Sequence, residues 1–175
     1  MKKRLIILSD LWGKQNANWV KNYKELLADT CDIIFYDSCE LAEINTSVYE
    51  EERLHTQFVN GGIELAVKNL LKLEERKPIS ILAFSVGGVI AWKYALINKN
   101  VNYLCCISST RLRYEVAKPT CYIDLLYGTK DTFIPNEKWF VLLGVSVKMI
   151  DGFHEVYKEV KAINLIVENL RKYLS

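Results

Sequence analysis

The chain predicts a three-layer α/β sandwich: about six mostly parallel strands in one sheet, with helices on both faces. Three observations predict it. Short apolar runs alternate with longer amphipathic stretches along all 175 residues, the pattern left by strand–helix–strand crossovers in a parallel sheet. The longer stretches carry their apolar residues at helical spacing, on one face each. No repeat, low-complexity tract or proline-rich linker interrupts the alternation, so residues 1–175 read as a single domain.

The elements follow in order. Leu5 to Leu8 comes after Lys2-Lys3-Arg4; a basic start before an apolar run also opens a secretory leader, but this run is far too short and Asp10 closes it, so a strand is expected. Trp19 to Ala28 carries Trp19, Tyr23, Leu26 and Leu27 as a helix would, and Ile33 to Tyr36 is the second strand. Ser38 to Thr56 reads as a polar connection of unusual length, expected above the carboxyl edge of the sheet, where long connections are commonly functional. Phe58 to Leu73 puts Val59, Ile63, Ala66, Leu70 and Leu73 on one helical stripe. Ile79 to Phe84 is the third strand, and Val86 to Ile97 is its following helix, whose Gly87-Gly88 permits close packing on the sheet. Tyr103 to Ile107, Cys121 to Tyr127 and Val145 to Ile150 complete the strands. The final stretch spaces Val156, Val160, Ile163, Val167, Leu170 and Leu174 by fours and threes, a repeat too short for a coiled coil and suited to a helix covering the sheet.

Composition narrows the function classes. Half the residues are hydrophobic and a quarter charged, ordinary globular usage, and a chain of this length buries roughly 70% of its unfolded surface. The net charge of +2 comes from interspersed residues of both signs, with no basic stripe for nucleic acid. Five cysteines, odd in number and without a Cys-x-x-Cys pair, fit a reduced compartment, and no run approaches a membrane span; a soluble, cytoplasmic protein is expected. Cys105 and Cys106 are adjacent in a strand and should point to opposite faces as small core hydrophobes. His55 and His154 are the two histidines, and no His-Glu-x-x-His spacing exists, so neither metal nor cofactor is expected.

The chemistry concentrates at Ser85, in Ala83-Phe84-Ser85-Val86-Gly87-Gly88, where a strand turns sharply into a helix. A serine on such a corner needs small neighbours two positions away, here Ala83 and Gly87. Its hydroxyl would be exposed at the carboxyl edge of the sheet, and the Val86 amide, at the positive end of the helix, could serve an oxyanion. Asp131 follows the strand ending at Tyr127, and His154 follows the strand ending at Ile150. Serine, aspartate, histidine, each beyond a successive strand, is a catalytic order. Asp124 and Asp151 are rival acids, but the first falls inside its strand and the second immediately precedes the histidine loop. His55, with three acidic neighbours, reads as solvated or as part of a substrate rim.

With these residues the sequence resembles the α/β-hydrolase superfamily, specifically its small lidless members, over nearly the whole chain. The Ala83-x-Ser85-x-Gly87 string looks like the elbow of small bacterial lipases. The resemblance implies a minimal form of that fold lacking the first two strands, and a Ser85–His154–Asp131 triad acting through an acyl-enzyme. The His-Gly pair that usually follows the first strand is replaced by Ser9-Asp10, and by alignment Leu11 supplies the second oxyanion amide.

The resemblance implies a serine hydrolase cleaving a small carboxylic ester or thioester. Only Ser108 to Pro119 occupies the usual position of a lid, which leaves no room for a cap domain, so the site should be open, favouring soluble or short acyl esters over long-chain lipids or accepting a carrier-bound acyl group. Trp12, Phe84 and Arg111 are candidate substrate contacts; Trp19 is a further candidate wall, or core. Arg111, Arg113 and Lys118 could steer a phosphate-bearing carrier such as coenzyme A, or be merely solvated. The alternative function is a noncatalytic binding domain on the same scaffold, motivated by the altered Ser9-Asp10-Leu11 loop. A flavodoxin-like domain is disfavoured, because no Gly-x-Gly-x-x-Gly follows the first strand.

Overall fold

Each of the six apolar runs forms a strand in the computed structural model, which describes residues 2–74 and 78–174. They are β1 (Lys3–Leu8), β2 (Cys31–Tyr36), β3 (Ile79–Phe84), β4 (Val101–Ile107), β5 (Tyr122–Gly128) and β6 (Val147–Ile150). They form one sheet in the order β2-β1-β3-β4-β5-β6, parallel at every pairing. The helices are α1 (Val20–Leu27), α2 (Ser38–Leu41), α3 (Glu51–Gln57), α4 (Ile63–Leu73), α5 (Val86–Ile97), α6 (Glu137–Leu143) and α7 (Val160–Leu174).

Strand parity divides the core into two. Ile6, Leu8, Ile81, Ala83, Leu104, Cys106 and Tyr127 face a core shared with α2, α4, α5 and α6, whereas Leu5, Ile7, Leu82, Phe84, Cys105 and Ile107 face one shared with α1 and α7. Cys105 and Cys106 thus lie on opposite faces, as their adjacency requires. Leu5 through Leu8 are fully buried, each worth about 2 kcal/mol in surface removed from water.

Three expectations are corrected. The connection after β2 is not an extended polar loop: Asp37 caps α2 by accepting the Cys39 N–H at 2.7 Å, and α3 is anchored by buried Leu54. The stripe over Phe58 to Leu73 breaks at Asn60 and Gly61, whose φ of 113° is open to glycine, so the regular helix starts at Ile63; Val59 and Leu73 are exposed. Lastly, α6 lies in a segment left without an element, capped by the Asn136 side chain at one end and left-handed Gly144 at the other. The final helix begins at Val160, after a short 3₁₀ turn at Val156–Lys158.

From β1 the chain moves outward to β2, and from β3 it moves outward to β4, β5 and β6 on the other side. The strand order therefore reverses at the β1/β3 pair. Beyond the carboxyl ends of such a pair an open parallel sheet leaves a crevice for ligands. The loops flanking it are Ser9-Asp10-Leu11 and Ser85-Val86.

Candidate active site

Ser85 occupies the corner between β3 and α5 at φ 49°, ψ −118°, a left-handed φ that costs a non-glycine residue roughly 1–3 kcal/mol. Backbone bonds hold it there: the Ser85 N–H donates to the Ile107 carbonyl at 2.8 Å, and the Gly88 N–H donates to the Ser85 carbonyl at 3.0 Å. The two following glycines make the corner possible. A Cβ on Gly87 would collide with the Ser9 carbonyl, and one on Gly88 would lie 2.5 Å from the Ser109 Cβ. The start of α5 is thereby wedged between the loops after β1 and β4.

The acid and the histidine come from the ends of β5 and β6. The Thr129 and Lys130 amides donate to the Ile150 and Gly152 carbonyls, both at 2.8 Å, extending the pairing of the two strands into their loops. At Gly128 the carbonyls of Gly152 and Phe153 pass so close that a Cβ would lie 2.5 Å from the Gly152 oxygen. This approach sets His154 beside Asp131. Asp131 Oδ2 lies 2.7 Å from His154 Nδ1, and His154 Nε2 lies 3.0 Å from Ser85 Oγ. Asp131 Oδ1 accepts the Phe133 N–H at 3.1 Å. Burial pushes the Asp131 carboxyl upward, but hydrogen bonds from His154 and Phe133, with the His154 and Arg113 charges, bring it below its ordinary value. An ionised Asp131 keeps the histidine proton on Nδ1 and leaves Nε2 to accept one from Ser85.

The rival acids are engaged elsewhere. Asp124 accepts the Tyr103 hydroxyl at 2.7 Å and pairs with Lys148, while exposed Asp151 pairs with Lys130.

Opposite the elbow, Ser9 and Asp10 are wholly buried and bonded at every polar atom of their side chains. Asp10 Oδ1 accepts the Trp12 N–H at 3.1 Å, and Oδ2 accepts the Tyr157 hydroxyl at 3.0 Å and faces Lys158 Nζ at 3.3 Å. Burial raises the Asp10 carboxyl above its ordinary value, against the opposing pull of Lys158 and the Tyr157 hydroxyl. Ser9 Oγ takes the Ser38 N–H, and Ser38 Oγ donates to the Ser9 carbonyl at 2.7 Å. The loop is thus fixed on one side to α2 and on the other to the segment that follows His154. Among the described residues, neither the Leu11 nor the Val86 N–H has a protein acceptor.

Ser85, His154, Leu11, Val86, Trp12 and Arg111 line one cavity of about 880 Å³. Phe84 does not, and its assignment as a substrate contact is corrected. It points to the opposite face of β3 from Ala83, fully buried, with its ring 4.6 Å from Trp19 and 5.1 Å from both Tyr23 and Tyr157. Trp19 is core for the same reason. Lys118 is also absent from the cavity; its ammonium donates to the Gly144 carbonyl. His55, with Glu51 and Glu52, lines the cavity from α3. Sequence reasoning missed Gly128 and the Asp10–Tyr157–Lys158 network. A glycine closing an apolar strand was the available signal for the first; nothing local announced the second.

No protein-family model and no curated protein matches the chain. Solved structures do. A Xanthomonas campestris pv. campestris protein assigned to the α/β-hydrolase superfamily aligns with TM-score 0.69 at 16% identity, covering 98% of this chain and 99% of that one. A cold-adapted esterase from an Arctic intertidal metagenomic library gives 0.64 at 16% identity, over 99% and 83%. An α/β serine hydrolase homologue from Coxiella burnetii gives 0.61 at 17%, over 96% and 85%. The chain therefore has the α/β-hydrolase fold, in a small form. Among the described residues no helix is long and apolar enough to cross a membrane.

Proposed function

We propose that this protein is a cytoplasmic serine hydrolase that cleaves a small carboxylic ester or thioester, free or carrier-bound, through an acyl-enzyme. The observation carrying this reading is the relay from Asp131 through His154 to Ser85, at 2.7 and 3.0 Å, ending on a strained corner that opens into a cavity. Ser85 Oγ bonds to the substrate carbonyl carbon while its proton passes to His154 Nε2. The Val86 and Leu11 amides, both without a protein acceptor among the described residues, donate to the oxyanion. On collapse the carbonyl-to-leaving-group bond breaks, and the alcohol or thiol departs with the proton from Nε2. Water repeats the sequence: it gives a proton to His154, adds to the acyl carbon and releases the acid, and the proton returns to Ser85. Trp12 and Arg111 are the side chains proposed to touch substrate. Five free cysteines, four of them buried, suit a reducing compartment.

The test is labelling with a fluorophosphonate probe. Wild type should label, and Ser85→Ala should not; His154→Ala should label at least a hundredfold more slowly. Folded wild type that fails to label, or Ser85→Ala that labels equally well, would overturn the reading.

A further inference from the structure

We propose an anion subsite centred on Arg111 and backed by Arg113, so that the ester opened at Ser85 carries a carboxylate or similar anionic group away from its scissile bond. This deepens the hydrolase reading and rests on it.

Both arginines sit on the 3₁₀ turn Thr110–Tyr114 that follows β4, and both line the cavity that holds Ser85. They are half-buried, yet neither forms an ion pair with a carboxylate among the described residues. The other charges lining the cavity near the triad are satisfied: Lys130 pairs with Asp151, Asp131 with His154, and Glu155 with Lys158. A half-buried guanidinium without a counterion loses hydration that no opposite charge offsets, and an anionic ligand would supply that charge.

The two arginines are held differently. Arg113 donates to the Thr110 carbonyl at 2.8 Å, with its guanidinium over the Tyr114 and Phe133 rings at 4.5 and 5.9 Å. It is anchored, and its charge reaches Asp131. Arg111 rests on the Tyr114 ring at 5.0 Å, and no protein acceptor takes its N–H groups among the described residues. Stacking on a ring leaves the edge of the guanidinium for bidentate bonding to a planar anion. Across the cavity, burial and the charge of Arg111 lower the His55 imidazole, with Glu51 opposing and Arg113 adding to the fall. Glu51 and Glu52 share this wall, but both are exposed and neither reaches an arginine. The inner wall is therefore cationic and the rim acidic.

Matched esters test the subsite. On the acyl side, aryl hemiesters of succinate and glutarate are compared with their neutral methyl-capped diesters; on the leaving-group side, a carboxyphenyl acetate is compared with its methyl ester. At low ionic strength wild type should favour the anionic member about tenfold in kcat/KM on at least one side, the preference shrinking as salt rises. Arg111→Gln should remove the preference, and Arg111→Lys should restore part of it. Each comparison is a ratio within one preparation, so a partly unfolded variant lowers both members alike. Wild type that hydrolyses the neutral esters without anionic preference, or a preference that survives Arg111→Gln, would overturn the subsite and leave the hydrolase reading standing. Should wild type hydrolyse no ester, the hydrolase reading fails and the subsite rests on calorimetric binding of glutarate. Binding that is lost in Arg111→Gln supports it, and the absence of binding to wild type overturns it.

Discussion

Replacing Gly128 with alanine adds one methyl group at the point where the histidine loop crosses the end of β5. Its Cβ would lie 2.5 Å from the Gly152 oxygen and also against the Phe153 oxygen, closer than the 3.0 Å that real Cβ atoms keep. Both obstacles are backbone, so no side chain can swing away. The 152–153 segment must retreat by at least about half an ångström, in a position already pinned by the Lys130 N–H bond to the Gly152 carbonyl. His154 is the next residue. Moved by that amount, its Nε2 stands about 3.5 Å from Ser85 Oγ, at the limit of a hydrogen bond, and the bond to Asp131 stretches or tilts. A shift of this size costs roughly ten- to a hundredfold in rate, with a stability loss of about 1–3 kcal/mol for overpacking. Fluorophosphonate labelling rates, aryl acetate turnover and urea unfolding on the same preparation separate the two losses. Labelling within about twofold of wild type in folded Gly128→Ala would refute the claim that this glycine positions the histidine.

The remaining expectations concern the other parts of the site. Asp10→Asn removes the charge that joins the Trp12 amide to Tyr157 and Lys158; kcat for an aryl ester should fall about tenfold or more with KM within about threefold, because the loss falls on the oxyanion in the transition state, and an equal rise in KM with kcat unchanged would contradict it. Ser85→Gly abolishes labelling but releases the strain at φ 49°, so its urea midpoint should rise, by the equivalent of about 1 kcal/mol; a lower midpoint would show that the corner is unstrained. Asp131 has a depressed carboxyl pKa in the fold, so its ionised form stabilises the protein above the unfolded value of about 4, and that contribution fades as pH falls through the lower folded value. The stability gap between wild type and Asp131→Asn should therefore be widest near neutrality and close below about pH 4; a gap independent of pH would remove the ionised pair from the account.

What could be read in the sequence follows from how each feature is encoded. Residues 5–8 of β1 and Ile79–Phe84 of β3 are buried on both faces, so they appear as apolar runs broken only by Ser80, and Ser85, Asp131 and His154 are legible by counting from strand ends. Phe84 adjoins Ser85, yet strand parity sends it to the core opposite the one that Ala83 faces, and it is fully buried there. Helix α6 escaped despite a capping Asn136 and a terminal Gly144, since its two turns leave Val141 and Leu142 exposed and show no stripe. The approach of Gly128 to Gly152 and the bonds of Asp10 to Tyr157 and Lys158 join residues far apart in the chain. No local pattern records them.

Those two long-range contacts bear on the Ser9-Asp10 pair, which stands where the resemblance to the superfamily implies His-Gly. A glycine admits a tight loop because it lacks a side chain; here a side chain builds the loop instead. Asp10 takes the Trp12 amide on one oxygen and the Tyr157 hydroxyl and Lys158 ammonium on the other, so the loop that carries Leu11 and the segment after His154 are joined through one buried carboxyl group. Gly128 fixes the same segment from the β5 side. The Ser9-Asp10-Leu11 loop and the 152–158 segment are therefore tied together, and Ser85 is held in addition by the Ile107 carbonyl and by the start of α5. Burying a carboxylate is costly, and burial raises the Asp10 carboxyl above its ordinary value; the cost is sustained where losing the side chain would disconnect the loop after β1 from the segment that follows His154.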